Sequence, residues 1–173
     1  MKQDQDISIL RAQSAEYLHP KTALAIWIVL ILGLGSCMGI FFGPGAWFQG
    51  LVKPTWNPPG WVFGPAWTLL YVLMAISVWN VRRNTRVSET ERSRAMRFFW
   101  LQLLLNLAWT PIFFGLHQPA WAFVEICLLW LAALSTALAF GKISAASGYL
   151  LIPYLAWLSF ALVLNGTIWL LNS

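Results

Sequence analysis

The chain is expected to fold as an all-α integral membrane protein, a single bundle of five transmembrane helices, and three observations predict this. Hydrophobic residues make up 59% of the 173 and charged residues 10%, with a mean hydropathy of +0.66. That leaves too little polar surface to coat a water-soluble globule. The apolar residues gather into five runs long enough to cross a bilayer, whose hydrocarbon core of roughly 30 Å takes about 20 residues of helix. Within these runs polar and apolar positions do not alternate, which excludes the strands of a transmembrane barrel.

The first run covers residues 23–42, the second 61–81, the third 98–116, the fourth 120–140 and the fifth 148–171. Residues 1–22 form a polar tail ahead of the membrane domain, residues 23–173. The first run is too long for the apolar region of a cleaved signal peptide and follows that tail, so it reads as a helix. Gly35, Gly39 and Gly43 give it a smooth strip, suited either to a second copy of the chain or to a neighbour in the same bundle. The links at 117–119 and 141–147 are short, which makes the third, fourth and fifth helices antiparallel neighbours. Cys37 and Cys127 lie at membrane depth in different helices and form neither a disulfide nor a metal motif.

Basic residues set the orientation. Lys2, Arg11, Lys21, Arg82, Arg83, Arg86, Arg92, Arg94, Arg97 and Lys142 all fall on one side of the membrane, and Lys53 on the other. In a bacterial-type inner membrane this places the N-terminus in the cytoplasm and the C-terminus outside. The net charge of +5 is therefore topological, and no nucleic acid is expected as a partner: the arginines share one short loop with Glu89 and Glu91 and form no binding motif.

The connection between the first two helices, residues 43–60, is the most unusual stretch. With the start of the second helix it holds Pro54, Pro58, Pro59 and Pro65 together with Trp47, Trp56, Trp61 and Trp67. Proline fixes φ and removes backbone donors, so this is a stiff, shaped segment whose indoles offer broad π faces, and it reads as a lid over a binding site.

The 12 tryptophans divide by depth. Trp27, Trp61, Trp79, Trp100, Trp121 and Trp169 lie near helix ends, where indoles favour the headgroup level. Trp67, Trp109, Trp130 and Trp157 sit about 9 to 16 Å inside their helices at 1.5 Å per residue. A buried indole N–H needs an acceptor, either on a neighbouring helix or on a ligand. Gln102, Asn106, Trp109 and Phe113 form one stripe on the third helix, and Tyr154, Trp157, Ala161 and Asn165 one on the fifth; Trp67 and Tyr71 lie one turn apart on the second. These stripes either pack helix against helix or line a cavity below the lid, and the small Ala161 leaves room for a planar ligand or for a neighbouring helix.

The run from Lys53 through Pro54, Thr55, Trp56, Asn57, Pro58 and Pro59, followed by Trp61 to Tyr71, resembles the signature of the TspO/MBR family. These are the tryptophan-rich sensory proteins, whose mitochondrial members are called translocator protein or peripheral benzodiazepine receptor. Leu105 to Trp109 with Pro111 to Gly115 is similar to that family's third helix, and Pro153 to Trp157 with Phe160, Ala161, Leu164 and Asn165 to its fifth. The resemblance implies a homodimeric five-helix bundle that binds porphyrins such as protoporphyrin IX and, in some members, sterols or isoquinoline and benzodiazepine ligands. It implies a pocket built from Trp47, Trp56, Pro58, Trp67, Tyr71, Asn106, Trp109, Trp157 and Ala161. The end of the fifth helix lacks the tyrosine and basic residue of the animal sterol-associated pattern, which favours porphyrin over sterol.

A porphyrin presents a flat apolar face to indole and phenol rings, while its propionates need donors or water near the surface. Lys53 serves either as a propionate partner or as a snorkelling cation. His19 and His117 are not placed as axial ligands, so no metal and no cofactor is expected. Glu125, the acid within a span, makes either a structural hydrogen bond or a contribution to transport or gating. Three classes of function follow: a receptor, sensor or carrier for porphyrins; a light-dependent porphyrin-degrading enzyme in which Trp67 and Trp157 are the oxidisable groups; and a sterol or lipid transporter. No constellation for conventional catalysis is present.

Overall fold

The computed structural model describes residues 20–173, and the expected tail falls largely outside the described residues. Five long helices are present and, among the described residues, no strand: α1 (Pro20–Phe42), α2 (Phe63–Arg82), α3 (Glu89–Thr110), α4 (Pro119–Ile143) and α5 (Ile152–Leu171). Each is long and apolar enough to cross a membrane. α4 is the most enclosed of the five and packs along both α3 and α5, whereas α1 is the most peripheral and lies mainly on α2.

The helix boundaries depart from the hydropathy reading in three places. α3 begins nine residues before the apolar run, because Ser88 and Glu91 close a capping box: the Ser88 hydroxyl accepts from the Glu91 amide at 3.2 Å and the Glu91 carboxylate accepts from the Ser88 amide at 3.0 Å. At its far end α3 widens into a π-helical turn, Pro111–Gly115. There the Leu116 N–H reaches the Pro111 carbonyl at 2.8 Å. The fifth apolar run is split: a short turn, Ala145–Leu150, precedes α5, and Pro153 stands in the first turn of α5 itself.

The α4–α5 junction is tight. A Cβ placed on Gly148 would lie 2.9 Å from the Gly141 Cα and 3.1 Å from the Ala137 carbonyl oxygen, so glycine is what lets the two backbones meet. The Ser77 hydroxyl donates to the Ser147 carbonyl at 2.8 Å and the Asn84 amide to the Ile143 carbonyl at 2.9 Å, stitching α2 and its following loop to this junction.

The glycine strip of α1 is divided between two environments. Gly35 backs directly onto the ring of Tyr71, which assigns it to packing within the bundle, while Gly39 has open space where a side chain would go. Cys37 and Cys127 are free thiols. Of the end-of-helix tryptophans, Trp61, Trp100 and Trp121 are exposed, as an interfacial belt requires, whereas Trp27 lies against Phe99 and Trp100.

Candidate ligand site

The backbones of α2 and α5 barely approach one another, and aromatic rings span the space between them. Trp67 stacks on Tyr71 at 5.2 Å and meets Tyr154 and Trp157 edge-on, each at 6.4 Å. Trp157 continues the cluster to Phe63 at 5.8 Å and to Phe160 at 5.5 Å. The spacing explains the assembly: Trp67 and Tyr71 are one turn apart on α2, as Tyr154, Trp157 and Ala161 are on α5, so both helices turn an aromatic face to the same gap.

A polar chain crosses beneath these rings. The Tyr71 hydroxyl donates to Asn106 Oδ1 at 3.0 Å, and Asn106 Nδ2 donates to the Tyr154 hydroxyl at 3.0 Å. One amide on α3 therefore fixes a ring from α2 and a ring from α5, and all three residues are buried.

The four deep tryptophans differ in how they use the indole N–H. Trp109 donates to Asn165 Oδ1 at 3.2 Å and Trp130 to the Ser159 hydroxyl at 2.9 Å, both of them interhelical bonds. Trp67 and Trp157 make no such bond among the described residues. The two indoles with an unspent donor are the two that meet edge-on between α2 and α5.

A second aromatic cluster lies beside the first. Trp47 stacks on His117 at 4.4 Å and meets Phe113 edge-on at 5.8 Å, and Phe113 stacks on Trp109 at 4.9 Å. His117 takes φ of 55° at the turn after the π-helical segment, a left-handed conformation usually left to glycine or asparagine. Of the residues expected at the pocket, Trp67, Tyr71, Asn106 and Trp157 thus come together directly, and Ala161 lies half-buried one turn beyond Trp157. Trp47 belongs to the adjoining cluster, and Trp109 packs against both. Trp56 reaches the site only through Phe160, edge-on at 6.0 Å, and Pro58 stands in the loop, its carbonyl accepting from Asn57 Nδ2 at 3.0 Å.

The loop between α1 and α2 is stiffened by more than its prolines. It contains a helical turn, Ala46–Gly50, whose end is closed by Lys53: Nζ donates to the Gln49 and Leu51 carbonyls at 3.2 and 3.0 Å and sits 4.6 Å from the Phe48 ring centre. That ammonium is engaged within the loop. At the far end of the chain the Asn172 side chain accepts from the Val52 N–H at 2.9 Å and donates to the Val52 carbonyl at 2.9 Å and to the Ile168 carbonyl at 2.7 Å. One amide thus clasps the loop and satisfies a carbonyl in the last turn of α5. Replacing Asn172 by alanine is expected to raise hydrogen exchange at the Val52 amide about tenfold while leaving Met74 in mid-α2 unchanged, read by exchange mass spectrometry. Equal exchange at Val52 in both proteins would show that the clasp does not hold the loop.

Tyr154, Phe160, His117 and Asn172 were not among the expected site residues. Tyr154 lies in the α5 stripe and Phe160 one turn beyond Trp157 on the same helix, whereas His117 and Asn172 are placed by a turn and by long-range pairing that helical periodicity does not encode. Glu125 is buried with neither carboxylate oxygen partnered among the described residues, so the structural hydrogen bond envisaged for it is not formed.

Comparison with known proteins agrees with this architecture, since the model of the TspO/MBR family matches residues 19–170. The chain belongs to the TspO/MBR family. It is 40% identical over 152 residues to the protein CrtK of Rhodobacter capsulatus, covering 87% of this chain and 93% of that protein. It is 38% identical over 155 residues to the translocator protein of Homo sapiens, covering 88% and 92% of the two chains. To the tryptophan-rich sensory protein of Cereibacter sphaeroides it is 37% identical over 145 residues, with 80% and 88% covered. The five helices and the aromatic gap between α2 and α5 therefore belong to a TspO/MBR membrane protein.

Proposed function

We propose that this TspO/MBR protein is a receptor, sensor or carrier that binds a flat tetrapyrrole such as protoporphyrin IX between α2 and α5, below the tryptophan- and proline-rich loop. The observation that carries the reading is the pair Trp67 and Trp157, whose rings meet edge-on between α2 and α5 and keep their N–H donors unspent while the other two deep tryptophans bond to neighbouring helices. Such rings stack on a macrocycle and donate to its polar edge. Tyr71 and Asn106 back this surface, Ala161 gives it room, and Trp47, Trp56, Pro58 and Trp109 shape its rim. Every one of these residues comes from one chain, so a homodimer, also part of the proposal, would carry one complete site per copy.

The arginine-rich ends of α2 and α3 face the cytoplasm in this reading, and the loop and the C-terminus face outward. Names such as sensory protein and translocator protein among the relatives accord with ligand binding in a membrane. The contact between Trp67 and Trp157 also favours a second reading, light-dependent oxidation of a bound tetrapyrrole beside two oxidisable indoles.

Protoporphyrin IX in the dark is expected to quench tryptophan fluorescence saturably, and Trp157→Phe to weaken binding about three- to tenfold, whereas the exposed Trp121→Phe leaves it unchanged. Quenching that never saturates would overturn the reading. A new product that forms only under illumination, and not in Trp67→Phe, would select the enzyme.

A further inference from the structure

At the end of the bundle opposite the loop, a polar cleft of about 260 Å³ opens between the α2–α3 connection and the end of α4, lined by Asn80, Arg83, Asn84, Thr85, Arg86 and Ser144. We propose that this cleft binds a phosphate-bearing anion. It is remote from the aromatic site and independent of what that site binds.

Four observations support the assignment. No acidic side chain lines the cleft among the described residues. The two nearby acids are already committed: Glu89 pairs with Arg92 and accepts from the Ser93 hydroxyl at 3.2 Å, while Glu91 closes the capping box with Ser88. The Arg83 and Arg86 side chains are therefore left uncompensated, and neither guanidinium has a hydrogen-bonded or ion-paired partner among the described residues. Arg83 is also held in place, its guanidinium lying 4.0 Å from the Trp79 ring centre.

The backbone around the cleft is fixed as well. Asn84 donates to the Ile143 carbonyl at 2.9 Å and accepts from the Arg86 amide at 2.9 Å, while its own carbonyl accepts from Arg92 at 2.7 Å. The side chains of Asn80, Thr85 and Ser144 add neutral hydrogen-bonding groups to the two guanidinium forks. A concave wall with two exposed guanidinium forks, that of Arg83 held over Trp79, and no competing carboxylate matches the oxygens of a phosphate group. The cleft lies at the last residues of α2 and α4, the level of lipid headgroups, so the phosphate of an anionic phospholipid and a free phosphate are the two sources of this chemistry.

The test is titration of the detergent-solubilised full chain with phosphatidylglycerol, read by native mass spectrometry, with and without excess inorganic phosphate. The paired variant Arg83→Gln/Arg86→Gln is expected to weaken phosphatidylglycerol binding about tenfold or more, and Arg83→Lys/Arg86→Lys to weaken it partly although the net charge is kept. The control Arg94→Gln/Arg97→Gln removes the same charge from α3 and is expected to bind within about twofold of the unmodified chain. Phosphatidylglycerol that resists inorganic phosphate identifies a lipid headgroup as the occupant, and displacement identifies the free anion. Either result supports the site. Unchanged binding in the Arg83/Arg86 glutamine variant, or an equal loss in the Arg94/Arg97 control, overturns it.

Discussion

Gly35→Ala is expected to destabilise the protein by about 1–3 kcal/mol, the usual cost of overfilling a packed interior. A Cβ at this position would overlap the Tyr71 ring and stand 2.7 Å from its hydroxyl oxygen. The ring cannot simply step aside: it is stacked on Trp67 and its hydroxyl is bonded to Asn106. Gly39→Ala is the matched comparison, four residues along the same helix and with nothing within 4 Å of the added carbon. There the change is expected to be neutral or mildly stabilising, because alanine restricts the unfolded chain more than glycine does. Denaturation in mixed micelles separates the two. If Gly35→Ala unfolds no earlier than Gly39→Ala, Tyr71 has more freedom than its contacts indicate. A double variant with Tyr71→Ala should cost less than the sum of its parts, since removing the ring removes the overlap.

Asn106→Leu is the second substitution with a large expected effect, about 1–2 kcal/mol, at the upper end for interhelical polar contacts in membrane bundles. It removes the acceptor for Tyr71 and the donor to Tyr154 together, leaving both hydroxyls buried without a partner. Adding Tyr71→Phe and Tyr154→Phe to Asn106→Leu is expected to recover much of that loss, because the two hydroxyls that Asn106 served are then gone. The same unfolding assay decides it. A triple variant no more stable than Asn106→Leu alone would mean that the cost lies in shape and not in the hydrogen bonds.

How far the sequence reveals this arrangement depends on the range of the interactions. The number of spans follows from hydropathy alone, and the stripes through Trp67, Tyr71, Asn106 and Trp157 follow from the 3.6-residue period, so the centre of the candidate site was legible. The early start of α3 lay within reach too, in the Ser88 to Glu91 spacing, but an apolar run counts only residues that prefer lipid. The π-helical turn was not legible, because Pro111 reads equally well as a kink or a helix end. Nor was the link between the aromatic clusters: Trp109 shares a helical face with Asn106, yet its indole bonds Asn165 and stacks on Phe113, so it packs against both. Lys53 looked like the free cation of its side, and only the folded loop shows its ammonium turned back onto two carbonyls.

The clasp made by Asn172 has a practical consequence for how this protein is handled. The residue that fastens the loop lies just past the last turn of α5, so anything attached beside it, such as an affinity tag, a fluorescent fusion or a surface tether, pulls on the fastener itself. Two preparations that differ only in tag position should then differ in how fast they release a bound ligand, the one tagged beside Asn172 being faster. Kinetic comparisons of this protein are best made on chains with nothing attached beside Asn172.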